Sequence, residues 1–315
     1  MNLEIKKEIL KNKPKLNDSL TVLGSSGGRF GIIHNGGIGF RLFLSGVDLQ
    51  IDTGVGTFLR TIKLGKINPI YSPIFLDAIL CSHAHIDHFA DLIPFIEGMT
   101  LGTKINKGHL ITNETILSIY SKLFDYHLNL LEKTILNRNE KNTLEINGIN
   151  GELTISATPT RHLEIQKEDT GIGFLFRSRN KCIWYTSDTL LTPEIMEYIE
   201  KFSIDIIIAN GADYKRSIRT DMFLDLKDLM KLVHTFSPKF ILIAHYDEYQ
   251  TSVMYKIAHA MYLQKKLYQK GEPTRVFPAV EGMEIQLNGD NKIRFNFNNE
   301  ESKTVNRFLE LNQTI

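Results

Sequence analysis

Three of the chain's ten histidines, His83, His85 and His88, fall within six residues, with Asp87 among them. The apolar run Leu76 to Cys81 has the length and character of a buried strand and leads straight into this cluster. On an extended backbone, residues two apart project to one face, so His83 and His85 can grip one ion together. Asp87 and His88 stand where the chain turns into a following helix, point in another direction, and can serve a neighbouring ion. Imidazole mixed with carboxylate oxygen suits zinc, and also iron or manganese in octahedral arrangements. The blander reading, a histidine-rich surface turn, needs no apolar strand in front of it.

The pattern along the chain is that of an α/β fold. Leu20 to Leu23, Gly39 to Leu44 and Val47 to Ile51 read as three strands of a meander, the last ending at Asp52-Thr53-Gly54. Helical spacing follows from Phe89 to Met99. From Leu110 to Thr143 the pattern is amphipathic, with Ile116, Ile119, Tyr120, Leu123 and Phe124 on one face, and reads as an inserted helical segment. A second β-rich stretch comes next: Leu153 to Ala157, then Gly173 to Arg177 and Cys182 to Thr186 joined as a hairpin across residues 178–181. Helix 193–201, strand Ile204 to Ala209, helix 225–236, strand Phe240 to Ala244 and helix 252–269 then alternate, before a last strand near Glu284 to Leu287. The expectation is one domain over residues 1–315, with two sheets flanked by helices and a mobile tail near residues 300–315.

Composition mainly excludes. Lys and Arg number 37 against 36 Asp and Glu, so no overall field draws the chain to nucleic acid or to a membrane surface, and a small-molecule substrate is favoured over either. Cys81 and Cys182 are too few for a disulfide framework, which suits a reducing, cytoplasmic setting. The N-terminus has no signal-peptide core, and no stretch approaches the ~20 apolar residues of a membrane span. Residues 110–143 are the natural place for a lid over the site or for the surface of a homodimer.

The run SHAHIDH, preceded by a strand and by LQIDTGVG some thirty residues earlier, resembles the HxHxDH signature of the metallo-β-lactamase superfamily. The resemblance covers residues 20 to 287 and implies an αββα sandwich of two mixed β-sheets flanked by helices, with three further ligands, each just after a strand. The matching positions are His162 in ATPTRH, Asp188 in WYTSDT and His245 in ILIAHYD. It implies that His83, His85 and His162 hold one divalent ion and that Asp87, His88 and His245 hold a second, with Asp188 bridging. The ions would be Zn²⁺, with Mn²⁺ or Fe as alternatives. In such a centre two ions ~3.5 to 4 Å apart share a hydroxide nucleophile whose parent water has a pKa near ~7, and Asp87 and Asp188 take part in catalysis through the ions they hold. Asp52 corresponds to a carboxylate that orients a ligand imidazole; a turn aspartate before Gly54 is the alternative. The Gly24 to Gly28 run lacks the lysine of a nucleotide P-loop and reads as a tight turn letting backbone pass near the site. Cys81 reads as a small core residue. His34, His109, His127, His234 and His259 match no motif.

Within the superfamily, VLGSSGG, IDTGVGTFLR and YTSDT are similar to the RNase Z group and its small-molecule phosphodiesterase relatives. Arg161, Lys215 and Arg216 are candidates for holding a phosphate, with an ordinary solvated charge cluster as the alternative for the last two. Two departures bear on substrate. Residues 163–187 leave no room for a tRNA-gripping arm. Where the group carries a proton-donating histidine this chain has Arg219-Thr220-Asp221-Met222, so Asp221 becomes the candidate acid if its pKa is raised. The resemblance therefore implies a hydrolase of a small or cyclic phosphodiester. A lactonase, carboxyl-ester or thioester hydrolase, an RNase Z-like RNA-processing nuclease, and a non-hydrolytic di-iron redox or binding protein are the alternatives.

Overall fold

Alternating apolar and polar residues fold the first third of the chain into antiparallel strands β1 (Ser19–Ser25), β2 (Ile38–Leu44) and β3 (Val47–Ile51). In β2 the period-two pattern divides the side chains cleanly. Ile38, Phe40, Leu42 and Leu44 enter one apolar cluster, while Phe43 enters another on the opposite face. Strands β4 (Ala78–Cys81), β5 (His109–Thr112) and β6 (Glu132–Ile135) then add in parallel to β3. The computed structural model describes residues 2–15, 17–136, 143–162, 171–211, 223–289, 291–296 and 303–307.

The second sheet opens with antiparallel β7 (Thr143–Gly148), β8 (Gly151–Pro159), β9 (Ile172–Ser178) and β10 (Lys181–Tyr185). It continues in parallel with β11 (Ile206–Asn210), β12 (Phe240–Ala244) and β13 (Arg275–Pro278). The unbroken apolar runs of β11 and β12 are what a parallel strand covered on both faces requires. Strands β14 (Met283–Gln286) and β15 (Ile293–Phe295) return to the first sheet beside β1. Among the described residues the first sheet thus has eight strands and the second seven, both mixed. Their inner faces share one core in which Phe40 of β2 meets Tyr185 of β10 edge to face.

Helices cover the outer faces. On the first sheet, α3 (Thr57–Ile67), α5 (Leu92–Met99) and α6 (Glu114–Leu128) bury Leu64, Phe95, Ile96 and Tyr120 against Ile79 and Cys81. On the second, α7 (Pro193–Ile199), α8 (Leu226–Phe236) and α9 (Val253–Tyr268) contribute Ile199, Leu232, Val233 and Leu263 to the shared core. Their starts are set by local chemistry. The side chains of Asn113, Thr192, Asp225 and Ser252 each accept a backbone N–H of the first turn, and Asp225 and Asp228 form a reciprocal capping box.

Several expectations are corrected. The helical segment expected over residues 110–143 narrows among the described residues to α6, which lies between β5 and β6, both extending the first sheet, and Thr143 begins β7; residues 137–142 lie outside the described residues. Residues 89–99 divide into the end of a single turn, α4 (Ile86–Phe89), and α5, which starts beyond Asp91. Two helices were not expected, α1 (Asn2–Lys11) and α2 (Gly28–Asn35). The tail is anchored at residues 303–307 by Val305, which is fully buried in the main core; residues 297–302 and 308–315 lie outside the described residues. No helix among the described residues is long and apolar enough to cross a membrane.

Candidate metal centre

Six strands release a polar residue at or just beyond their C-terminal ends, and these residues meet at one edge of the sandwich: Asp52 after β3, His83 after β4, His162 after β8, Asp188 after β10, Asn210 at the end of β11 and His245 after β12. Carboxyl ends of strands are the usual place for a site in a sheet with parallel neighbours, because there the chain leaves the ladder and side chains are freed from packing.

Seven expected donors converge as two sets. His83, His85, His162 and Asp188 form one, and Asp87, His88, Asp188 and His245 the other, with the donor atoms of each set within 4.8 Å of one another. In the first set, His85 Nδ1 lies 3.1 Å from His83 Nε2 and 3.0 Å from His162 Nε2. Asp188 Oδ2 lies 3.7 Å from His83 Nε2 and 3.6 Å from His162 Nε2. In the second, His245 Nε2 lies 3.2 Å from Asp87 Oδ2 and 3.1 Å from Asp188 Oδ2, and His88 Nε2 lies 3.5 and 3.4 Å from the same oxygens. Ligands about 2.0 to 2.1 Å from a tetrahedral centre stand roughly 3.3 Å apart, so these separations are the edges of such a shell.

The donor set fits divalent cations on a second observation. His88 Nε2 and His245 Nε2 are fully buried and lack a well-angled hydrogen-bond partner, though both face carboxylates. Buried nitrogens without a partner are costly, unless they share a cation with those oxygens. Electrostatics follow the same division. Burial, aided by the neighbouring histidines, pushes His83 well below the ordinary imidazole range and His85 down to about 4, so both are neutral and free to ligate. Burial would also lower His88 and His245, but the carboxylates Asp188 and Asp87 overcome it, raising His88 strongly and His245 to about 10. Asp87 and Asp188 are held well below the usual carboxylate range, since His88 and His245 outweigh their burial. The pocket demands positive charge opposite its two carboxylates.

The surroundings hold the donors in place. Asp52, with φ of 50°, accepts from His88 Nδ1 at 2.7 Å, from the Ser82 backbone N–H at 2.7 Å, from Ser82 Oγ at 2.9 Å and from the Tyr185 hydroxyl at 2.5 Å. It is therefore placed to orient a donor imidazole, and its positive φ is also that of a residue at a turn. The Gly24 to Gly28 run does bring backbone to the site: the Gly28 N–H donates to Asp87 Oδ2 at 2.7 Å. A Cβ on Gly27 would lie 2.2 Å from His245 ring atoms, and one on Gly54 would lie 1.8 Å from the Asp87 carbonyl oxygen. Cys81 is buried in the core, its thiol pushed up by burial.

Of the expected substrate residues, Arg161 is exposed beside His162, its backbone N–H donating to Thr189 Oγ1 at 2.8 Å. Lys215, Arg216 and Asp221 lie outside the described residues. Sequence reasoning passed over Phe223, whose ring packs 5.4 Å from that of His162 and 4.9 Å from that of His245, spanning both donor sets. It also passed over Tyr185 and Asn210. Their signal is present in the sequence as polar groups at the ends of the apolar runs CIWY and IIIAN, where packing alone favours another aliphatic residue. His34 sits exposed on α2 and belongs to neither set.

Residues 49–246 match the family model of a beta-lactamase superfamily domain. An uncharacterized protein of Methanocaldococcus jannaschii is 26% identical over 272 residues, which cover 84% of this chain and 93% of that protein. Among solved structures, the metallo-β-lactamase fold protein YhfI of Bacillus subtilis superimposes with a TM-score of 0.63 at 16% identity, covering 84% of this chain and 97% of its own. A diphosphatase from the PhnP family superimposes with a TM-score of 0.57 at 18% identity, covering 85% of this chain and 97% of its own.

Proposed function

The chain belongs to the beta-lactamase superfamily, and on that premise we propose that it is a dinuclear metal-dependent phosphodiesterase acting on a small or cyclic nucleotide-type phosphodiester. The observation that carries the dinuclear part is the pair of four-donor sets meeting at Asp188 Oδ2. Two ions bound there, Zn²⁺ by the nitrogen and oxygen character of the donors, would supply Lewis-acid charge and acidify water toward neutrality.

The chain's own residues do the rest. His83, His85 and His162 would hold one ion and Asp87, His88 and His245 the other, with Asp188 serving both. Asp52 accepts the Nδ1 proton of His88, which leaves Nε2 as the ligating atom. The half-buried Phe223 ring lies against both sets and keeps bulk water from that side. Exposed Arg161, together with Lys215 and Arg216, offers charge-assisted hydrogen bonds to phosphoryl oxygens.

The phosphodiester assignment draws support from the likeness of VLGSSGG, IDTGVGTFLR and YTSDT to the RNase Z and small phosphodiesterase group, and from the structural likeness to a diphosphatase. The short span from His162 to Asp188 favours a small substrate over tRNA. Asp221 in place of a donor histidine favours the lactone or thioester alternative, whose leaving group needs less help. Both thiols are free, in keeping with a cytoplasmic enzyme.

A chromogenic phosphodiester, a lactone and a thioester offered to the purified protein with Zn²⁺ or Mn²⁺ separate these readings. Phosphodiester turnover that falls at least 10³-fold in His83→Ala and Asp188→Ala, with loss of bound metal, is expected. Turnover of the lactone or thioester alone would reject the phosphodiesterase assignment, and two tightly bound iron atoms with a redox-sensitive visible spectrum and no hydrolysis would reject both.

A further inference from the structure

The two oxygens of Asp188 meet different surroundings. Oδ2 faces the ring nitrogens of His83, His88, His162 and His245 at 3.7, 3.4, 3.6 and 3.1 Å. Oδ1 is turned away and accepts from Asn210 Nδ2 at 2.9 Å. The same amide nitrogen also donates to the Tyr185 hydroxyl at 3.1 Å, and that hydroxyl donates to Asp52 Oδ2. Asp52 Oδ2 in turn accepts from His88 Nδ1. The path thus leaves one nitrogen of the His88 ring, passes through three buried side chains, and returns at Asp188 to face the ring's other nitrogen.

Asn210 is held firmly enough to direct this path. It closes β11 in register with Ala244 of β12, and its backbone N–H donates to Thr186 Oγ1 at 3.1 Å. Its amide orientation is settled by chemistry, because the flipped form would set a carbonyl oxygen against the Asp188 carboxylate. The orientation observed leaves Asn210 Oδ1 buried with no hydrogen-bond partner among the described residues. An amide that leaves its acceptor unsatisfied while both donor contacts point into the centre is placed for those contacts. Tyr185 is fully buried, and burial and the Asp52 carboxylate push its hydroxyl strongly up, so it remains a donor.

We propose that Asn210 is a positioning residue for the metal centre. By holding Asp188 Oδ1 it prevents the carboxylate from turning one oxygen to each ion, so that Oδ2 alone is directed at both donor sets. Through Tyr185 it ties this orientation to Asp52 and so to His88. The inference rests on the reading of the two sets as ion sites.

The test uses the full chain, Co²⁺ alone as the probe, and the variants Asn210→Leu and Tyr185→Phe. Co²⁺ per chain, chelator competition and the visible Co²⁺ spectrum are measured beside the far-ultraviolet circular dichroism of each protein. In Asn210→Leu both Co²⁺ ions should bind 10- to 100-fold more weakly, with an altered spectrum and an unchanged fold, because releasing Oδ1 lets the whole carboxylate turn and both sets share its Oδ2. Tyr185→Phe should weaken binding by a smaller factor in the same direction. Parent affinity and spectrum in Asn210→Leu overturn the proposal, as does a loss confined to one ion. Should Asn210→Leu fail to fold, the isosteric Asn210→Asp, which sets an acceptor against Oδ1, is judged by the same outcomes. A parent protein that takes up no Co²⁺ overturns the metal-centre reading and this inference together, whereas uptake by the parent with an unaffected variant overturns this inference alone.

Discussion

Gly27 tolerates change less than its backbone suggests. Its φ of −146° is open to any residue, so the need for glycine is steric: a Cβ would meet the His245 ring at 2.2 Å. Gly27→Ala should therefore displace His245, lower metal content to about one ion per chain and cut turnover about 10²-fold, a typical cost of misplacing a group by ~1 Å. Unfolding of the metal-free protein should change little. Elemental analysis and thermal melts check this, and two ions with full activity would mean that the ring and the loop part easily. Other residues at the site carry real backbone strain. His245, Asp52 and Ser187 have φ of 67°, 50° and 54°, values that side-chain-bearing residues adopt at a cost where the chain must turn a donor inward. The cluster His83, His85, Asp87 and His88 was legible because its members fall within six residues after the apolar run of β4, and His162, Asp188 and His245 because each follows a strand in a short motif that resembles the family's. Phe223, Tyr185 and Asn210 were not singled out, because what gives them meaning is contact with residues 22 to 133 positions away, which local spacing does not encode.

At the scale of elements, the apolar pattern located β2, β3, β12, α8 and α9 to within about two residues, by a period of 2 or 3.6 in β2, β3, α8 and α9 and by a short unbroken apolar run in β12. The segment from 110 to 143 was misjudged for a physical reason. Its helical period belongs to α6 alone, whereas β5 has four residues and β6 is a largely exposed strand, so neither shows a helical or strand period against its neighbour. Helix starts are the part of an element that local chemistry controls, and α8 offers the test. Asp225→Ala removes the acceptor for the Asp228 backbone N–H and should cost about 1 kcal/mol in denaturant unfolding, while Asp225→Asn, which keeps an acceptor oxygen, should lose much less. Equal losses would mean that the charge at the helix start, and not the cap, carries the effect.

For the whole molecule, the pH dependence of stability has a contribution far from the metal donors in the chain. Burial of His259 on α9 lowers its imidazole to about 4 from 6.5. Below pH 6.5 the unfolded chain takes up a proton that the folded chain refuses until about pH 4, so this group makes the fold less stable as pH falls through that window and contributes no slope outside it. Replacing His259 by Gln should reduce the slope of unfolding free energy against pH between 6.5 and 4 by up to one proton, about 1.4 kcal/mol per pH unit. An identical slope would show that the ring is protonated as readily in the fold as out of it. The sequence by itself determined the two-sheet α/β plan and the local His83–His88 cluster, because periodicity and short spacing are local properties of the chain, while the resemblance to a known family pointed to His162, Asp188 and His245. Only the tertiary structure decided that Asp188 turns a single oxygen toward both donor sets, that Asp52 serves His88 through Nδ1, and that Gly27 makes room for the His245 ring. These are distances between chain segments, set by how two sheets close on a common core, and a one-dimensional pattern does not contain them.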